Sequence, residues 1–391
     1  MIASKLKINY IPEFIALIFG RGRPLMVSVN ITNKCNQHCV YCEIGATVAK
    51  KSEMDLSKDD LFWIIDQMKI QGIKRLSING GEPFLFKDLI EVVVYAHQNS
   101  IQCNITSNGM IISQLSEQSL QLLKDCKTLI NISVDSFQEK IQSQTRGVET
   151  ALSHAIKSIQ LLQSKDIPVT VLSAISKYNY HELFDSLIKA RKYGVRQILY
   201  QPIIYFSNFT DKDAIEQKSD FNVSRDKLPV LMEQLRKILA YEKSHRINTN
   251  VYRIMPWILQ YIESARLSNG TFFFDSLLKK FYCREAFAVI DISYFGEVQA
   301  CGLLGTDVNI RDSKERGLLA LWKEASGPLQ SDILKTKFPP ACNGCSHKFS
   351  RNMFASVFKH PIDNRCALMQ IIPLLLNRMI SRLRKKIIIK D

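Results

Sequence analysis

The chain has 391 residues, 46% of them hydrophobic, with 52 Lys and Arg against 37 Asp and Glu, a formal net charge of +15 and ten cysteines. This length suits one large α/β unit with an appendage, and no apolar run reaches the ~20 residues needed to cross a bilayer. The positive balance favours an acidic partner, but no Lys/Arg-rich stretch is interleaved with aromatics, so no nucleic-acid partner is expected. The N-terminus lacks a short apolar core followed by a small-residue cleavage site, and the cysteines fall in metal-like spacings. A reducing cytoplasm with metal-bound thiolates is therefore expected over a disulfide framework.

In chain order, residues 1–24 form an amphipathic N-terminal segment in which Ile11, Phe14, Ile15, Ile18 and Phe19 share one helical face. That face either packs on the main domain or touches a membrane surface. Strand-like runs follow at 26–31, 75–79, 101–106, 129–134, 169–174 and 197–201. Helix-period segments fall at 57–70, 86–99, 112–125, 148–165 and 180–193. This alternation predicts an α/β fold, a partial (β/α)6 TIM-like barrel, spanning 25–205. Residues 206–282 break the rhythm with a helix near 224–243 and an aromatic-rich stretch, an insertion that is the place to seek a substrate pocket. A hairpin is predicted over 287–301, turning at Tyr294-Phe295-Gly296. The basic tail, 367–391, sets Arg378, Arg382, Lys385 and Lys386 opposite Leu376, Met379, Ile380, Leu383 and Ile387. It reads either as a helix laid on the domain or as a contact with an anionic membrane surface, which would make the protein peripheral on the inner face of the membrane.

Chemistry gathers at the C-terminal ends of the strands in such folds. After the first strand comes Cys35-Asn36-Gln37-His38-Cys39-Val40-Tyr41-Cys42, three thiols spaced C-x3-C-x2-C. Three thiolates can hold three irons of a [4Fe–4S] cluster and leave the fourth open. Zinc is the alternative and would need a further ligand such as His38. Gly80-Gly81-Glu82-Pro83 follows the second strand, Thr106-Ser107-Asn108-Gly109 the third, and Ser133 and Asp135 the fourth. Cys103 and Cys126 read as buried small hydrophobes.

The three-cysteine motif with Tyr41, followed by Gly80-Gly81-Glu82-Pro83, resembles the radical S-adenosylmethionine (radical SAM) enzymes over residues 25–205. The resemblance implies that the open iron chelates the methionyl amine and carboxylate of SAM. An electron delivered by a donor such as flavodoxin or ferredoxin then cleaves SAM, giving a radical that abstracts hydrogen from substrate. It implies that the Gly80 and Gly81 backbone approaches the ligand closely. Glu82 fixes that loop, and Tyr41 lies near the adenine. Ser133 or Asp135 contacts the ribose, Arg146-Gly147 reaches the SAM carboxylate, and residues 106–109 have a structural role. For the last three the alternative is an ordinary turn or cap.

A second set, Cys283, Gly296, Cys301, Cys342 and Cys345, resembles the small C-terminal twitch/SPASM-like subdomain, over 283–366. The resemblance implies that four thiolates close an auxiliary [4Fe–4S] cluster, with zinc as the alternative. The longer pattern needs further cysteines where Arg351 and Ala355 stand, so no third cluster is expected. Cys366 reads as a buried free thiol and His347 as a surface residue.

The resemblance implies an enzyme, oxidoreductase or transferase, and leaves the substrate open. A carbohydrate, alcohol or lipid-linked substrate ranks ahead of a peptide, because only 24 residues precede the first strand, too few for a separate peptide-recognition domain. A peptide-modifying SPASM-type maturase is the alternative. A non-catalytic iron–sulfur carrier or scaffold would need neither an open iron nor the Gly80–Pro83 loop.

Overall fold

The computed structural model describes residues 23–42, 55–203, 221–255 and 285–335, apart from 253 and 303. All belong to the larger of the two units into which the chain divides, Met1–Arg351. The amphipathic N-terminal segment up to 22, Cys283, Cys342, Cys345, His347, Cys366 and the basic tail lie outside the described residues.

The elements run β1 (Met26–Asn30), α1 (Lys58–Gln71), β2 (Arg75–Asn79), α2 (Leu89–Gln98), β3 (Gln102–Ser107), α3 (Glu117–Asp125) and β4 (Leu129–Ser133). They continue through α4 (Glu139–Arg146), α5 (Ala151–Ser164), β5 (Val169–Ile175), α6 (Leu183–Lys192), β6 (Gln197–Pro202), α7 (Leu228–Ser244) and β7 (Asn248–Thr249). Last come α8 (Glu285–Ala288), β8 (Val289–Ile292), β9 (Val298–Gln299) and α9 (Leu318–Leu334). One sheet holds the strands in the order β7-β6-β5-β4-β3-β2-β1-β8-β9, and only β8 and β9 pair antiparallel. The six strands β1 to β6 stand side by side in chain order without closing on themselves, which makes a partial (β/α)6 barrel. Among the described residues no helix is long and apolar enough to cross a membrane.

Local chemistry explains these elements. Ser57 caps α1 reciprocally with Asp60, and Gly72 ends it in the left-handed region at φ 68°. Leu61, Ile64, Ile65 and Met68 recur at helical spacing on its buried face. In the strands, Val27, Val29, Leu76, Ile78, Ile105, Ile130 and Ile132 are buried in the same core as the helices. The alternate positions point to the other face, and there the residues are polar: Ser28, Ser77, Asn79, Asn104, Thr106 and Asn131. They bond to one another, Asn79 Nδ2 to Ser28 Oγ (3.3 Å) and Ser77 Oγ (3.1 Å), and Asn131 Nδ2 to Asn104 Oδ1 (2.9 Å).

The helix expected over 148–165 is present as α5, and a further one that was not expected, α4, precedes it, ended by Gly147 at φ 67°. Two expectations need correction. The helix expected over 112–125 begins as a 3₁₀ turn, Ile112–Gln114, before α3 starts at its Ser116 cap. The expected hairpin strand from 287 begins instead as α8, and β8 pairs in parallel with β1, Ser28 opposite Asp291. The sheet therefore runs across the positions where the sequence suggests boundaries, at 205 and 283. The turn after β9 is fastened to the same body: Asp60 accepts from Lys314 Nζ (2.6 Å) and Arg311 Nε (3.3 Å).

Candidate active site

The loop leaving β1 carries Cys35, Cys39 and Cys42, all half-buried. It is held from beneath by the loop leaving β2. Gly81 N donates to Thr32 O (2.7 Å) and Glu82 N to Lys34 O (2.7 Å). A Cβ at Gly80, where φ is 130°, would lie 2.5 Å from Thr32 O, and one at Gly81 would lie 2.1 Å from Lys34 O. The direction in which these glycines lack a side chain is thus filled by the chain's own backbone. Their first task is to let two loops run against each other.

Glu82 is fully buried. Its carboxylate accepts from Phe84 N (3.1 Å), Ser107 Oγ (2.8 Å) and Asn108 N (2.7 Å), tying the ends of β2 and β3 together. Burial pushes its pKa up to about 7 although all three donors favour the charged form. Pro83 opens the short 3₁₀ turn that Glu82 caps. Asn108 reaches back to the cysteine loop, Nδ2 to Asn36 Oδ1 (2.7 Å) and to Cys35 Sγ (3.8 Å).

On the other side the C-terminus of α4 grips the loop. His38 N donates to Arg146 O (3.1 Å) and Val40 N to Thr145 O (3.0 Å), so two helix-end carbonyls find their partners in the cysteine loop. The Arg146 side chain turns inward. Nη2 pairs with Asp135 Oδ1 (2.6 Å) and Nη1 lies 3.8 Å from Cys39 Sγ. Tyr41 donates its hydroxyl to Asp135 Oδ2, and the guanidinium carbon sits 5.8 Å from its ring centroid. Asp135 Oδ1 also accepts from Ala174 N (2.9 Å). The sequence reading places Asp135 at a ribose and Arg146 at a carboxylate. In the structure both oxygens of Asp135 and both terminal nitrogens of Arg146 face protein partners. Ser133, half-buried on the polar face, accepts at its backbone carbonyl from Gln142 Nε2 (3.4 Å).

Gln142 and Asn179 are site-supporting residues that sequence reasoning missed. Gln142 Oε1 accepts from Asp135 N (2.8 Å) and Ser136 N (3.2 Å). Asn179 Nδ2 donates to Asp135 O (2.7 Å). Both are fully buried amides that in a sequence look like surface polar residues. The one available signal for α4 was the Arg146-Gly147 pair, a helix end followed by the residue that tolerates a left-handed turn.

The residues fit a thiolate-ligated cluster. Burial pushes the Cys39 thiol up to about 11, against the opposing pull of Arg146, so loading metal there must expel a proton. Arg146 and Asn108 aim donors at two of the three sulfurs, as a negatively charged group wants. Two buried donors beside the loop, Gln37 Nε2 and Arg146 Nε, have no partner in the protein. Among the described residues no three His, Cys, Asp or Glu converge on one metal ion. Of the second cysteine set, Cys301 follows β9 at a tight turn closed by Leu304 N to Cys301 O (2.9 Å), and Gly296 makes its turn at φ 85°.

The radical SAM superfamily model matches residues 29–187. AlbA, the antilisterial bacteriocin subtilosin biosynthesis protein of Bacillus subtilis, is 24% identical over 358 residues, covering 86% of this chain and 72% of AlbA. GTP 3′,8-cyclase of Clostridium botulinum is 27% identical over 222 residues, covering 55% of this chain and 68% of the cyclase. Among solved structures, SuiB of Streptococcus suis bound to S-adenosylmethionine superposes with a TM-score of 0.60 at 17% identity, covering 79% of this chain and 68% of SuiB. The same fold is seen in SuiB bound to the precursor peptide SuiA, with a TM-score of 0.58. Residues 29–187 thus carry a radical SAM superfamily domain, and the protein is a radical SAM enzyme.

Proposed function

We propose that this enzyme modifies a peptide. One observation that supports this reading is the polar face of the sheet, on strands whose C-terminal ends lead into the cysteine loop and the loops that hold it. Between β1 and β4 it presents carboxamides and hydroxyls, and its only Lys or Arg is Arg75, exposed at the N-terminal end of β2. Such a face suits the uncharged donors and acceptors of a peptide main chain. AlbA, matched over most of both chains, and SuiB with its precursor peptide support the same choice. The same face would also suit the hydroxyls of the carbohydrate or alcohol ranked first from the sequence, and it is the similarity to AlbA and SuiB that favours the peptide.

In this reading Cys35, Cys39 and Cys42 hold a [4Fe–4S] cluster. The Gly80–Pro83 loop, Tyr41, Ser133, Asp135 and Arg146 shape the place where SAM sits. A bound cluster would supply the one electron that splits SAM into methionine and a 5′-deoxyadenosyl radical, and that radical would take a hydrogen atom from the substrate to become 5′-deoxyadenosine. The protein's own residues orient and enclose. Glu82 locks the β2 and β3 loops together, α4 fixes the cysteine loop, and the polar face seats the substrate. Residues 25–205 act as the radical SAM core. Cys283, Cys301, Cys342 and Cys345 hold an auxiliary cluster in electron transfer or substrate positioning. A small acidic redox protein such as flavodoxin or ferredoxin serves as donor to this basic chain.

The test uses the anaerobically reconstituted full chain with dithionite, SAM and deuterium-labelled synthetic peptides encoded by the neighbouring genes. Deuterium passing into 5′-deoxyadenosine, with a matching mass change in one peptide, is the expected result. If 5′-deoxyadenosine forms but acquires deuterium only from a sugar, alcohol or lipid-linked compound, the peptide reading is wrong.

A further inference from the structure

Arg146 occupies an unusual position for a charged side chain. It is 9% exposed, held at the end of α4, and its guanidinium lies between Asp135 and the sulfur of Cys39. Placing a cation in such a site is costly unless something offsets it. Asp135 does so only in part, since that carboxylate is shared. It also accepts from the Tyr41 hydroxyl and from Ala174 N. The remaining terminal nitrogen, Nη1, is directed at Cys39 Sγ at 3.8 Å. Cys35, by contrast, meets the neutral amide of Asn108, at 3.8 Å.

We propose that Arg146 is a positioning residue that sets the reduction equilibrium of the cluster held by Cys35, Cys39 and Cys42, with Asp135 and Tyr41 fixing the strength of its charge. The inference rests on the reading that these three thiols carry the cluster. The physical basis is direct. Reduction adds one electron to the cluster and makes it more negative. A cation and an N–H directed at a ligand sulfur stabilise that reduced state over the oxidised one and raise the potential. Asp135 opposes this by drawing on the same guanidinium. Tyr41 tempers Asp135, because a carboxylate that accepts an O–H is a weaker counter-charge. The network thus has two members with opposite signs of effect, a feature that simple structural support would lack. It also links Tyr41, inside the cysteine motif, to residues about one hundred positions further along the chain.

The experiment is a redox titration of the reconstituted full chain without SAM, followed by electron paramagnetic resonance. The open-site cluster is identified as the one whose signal changes when SAM is added. Arg146→Gln is expected to shift the midpoint negative, by about ten-fold in the reduction equilibrium, which is about 59 mV for one electron. Asp135→Asn, which keeps the shape but removes the counter-charge, is expected to shift it positive. Tyr41→Phe should shift it less and in the negative direction, and Arg146→Lys should lie between Arg146→Gln and wild type. Iron content of each variant is measured alongside. If Arg146→Gln does not hold a cluster, the signs of Asp135→Asn and Tyr41→Phe decide. Midpoints that do not move, or that all move the same way, overturn the proposal. A wild-type chain that assembles no SAM-responsive cluster overturns instead the reading on which it rests.

Discussion

The backbone carbonyl of His38 fills the space that a side chain at Gly147 would need. A Cβ built on Gly147 would lie 2.3 Å from that oxygen, and Gly147 itself has φ 67°. The two residues are distant in sequence, yet their contact is what lets α4 close on the cysteine loop.

Gly147→Ala should therefore cost more than a surface glycine change. The left-handed backbone alone accounts for about 1–2 kcal/mol, and relieving the clash must push His38 away and disturb the two backbone bonds beside it. Urea unfolding of the metal-free protein and iron content after reconstitution should both fall. Gly305→Ala, with nothing within 4 Å of its added Cβ, serves as the neutral control. Equal behaviour of the two variants would show that the grip of α4 on the loop is unimportant.

Glu82→Ala removes an acceptor from Phe84 N, Ser107 Oγ and Asn108 N. Leaving buried donors unpaired should destabilise the metal-free protein by on the order of 3 kcal/mol. A loss below about 1 kcal/mol in urea unfolding would mean that water replaces the carboxylate readily.

Glu182 gives a pH-dependent prediction. Its Oε2 accepts from Gln138 Nε2 (2.9 Å), and burial pushes its carboxyl up to about 6, above the 4.5 of a free glutamate. A raised carboxyl pKa favours the protonated form in the fold. The associated stability is complete below 4.5 and is lost as pH rises through 6. Glu182→Gln keeps an oxygen for Gln138 and cannot ionise. Wild type should lose more thermal stability than Glu182→Gln between pH 4.5 and pH 8, and the two should converge at the acid end. Parallel melting profiles would contradict this.

Much of this site was legible because its chemistry is local in sequence. The three thiols, the double glycine and the ends of β1 to β4 follow from short motifs and strand periodicity, and β2 falls where the pattern puts it, at Arg75–Asn79. What stayed hidden depends on contacts between distant residues or on polar segments without period. Helix α4 reads Glu-Lys-Ile-Gln-Ser-Gln-Thr-Arg, with one apolar residue, so no hydrophobic pattern marks it. The pairing of β8 with β1 joins residues more than 250 positions apart and has no signature in either strand. The engagement of Asp135 by Tyr41 and Arg146 could not be read from a turn motif, which says where a carboxylate lies in the chain and not which charges surround it.

The central claim is that Cys35, Cys39 and Cys42 carry the cluster that makes this chain a SAM-cleaving enzyme. The most direct measurement is 5′-deoxyadenosine formed per chain from SAM and dithionite, by wild type and by Cys39→Ala, with iron counted in both. The account predicts formation by wild type, none by Cys39→Ala, and about four fewer irons per chain in the variant. Equal formation by both, or none from a wild-type chain with its iron complement intact, would contradict it.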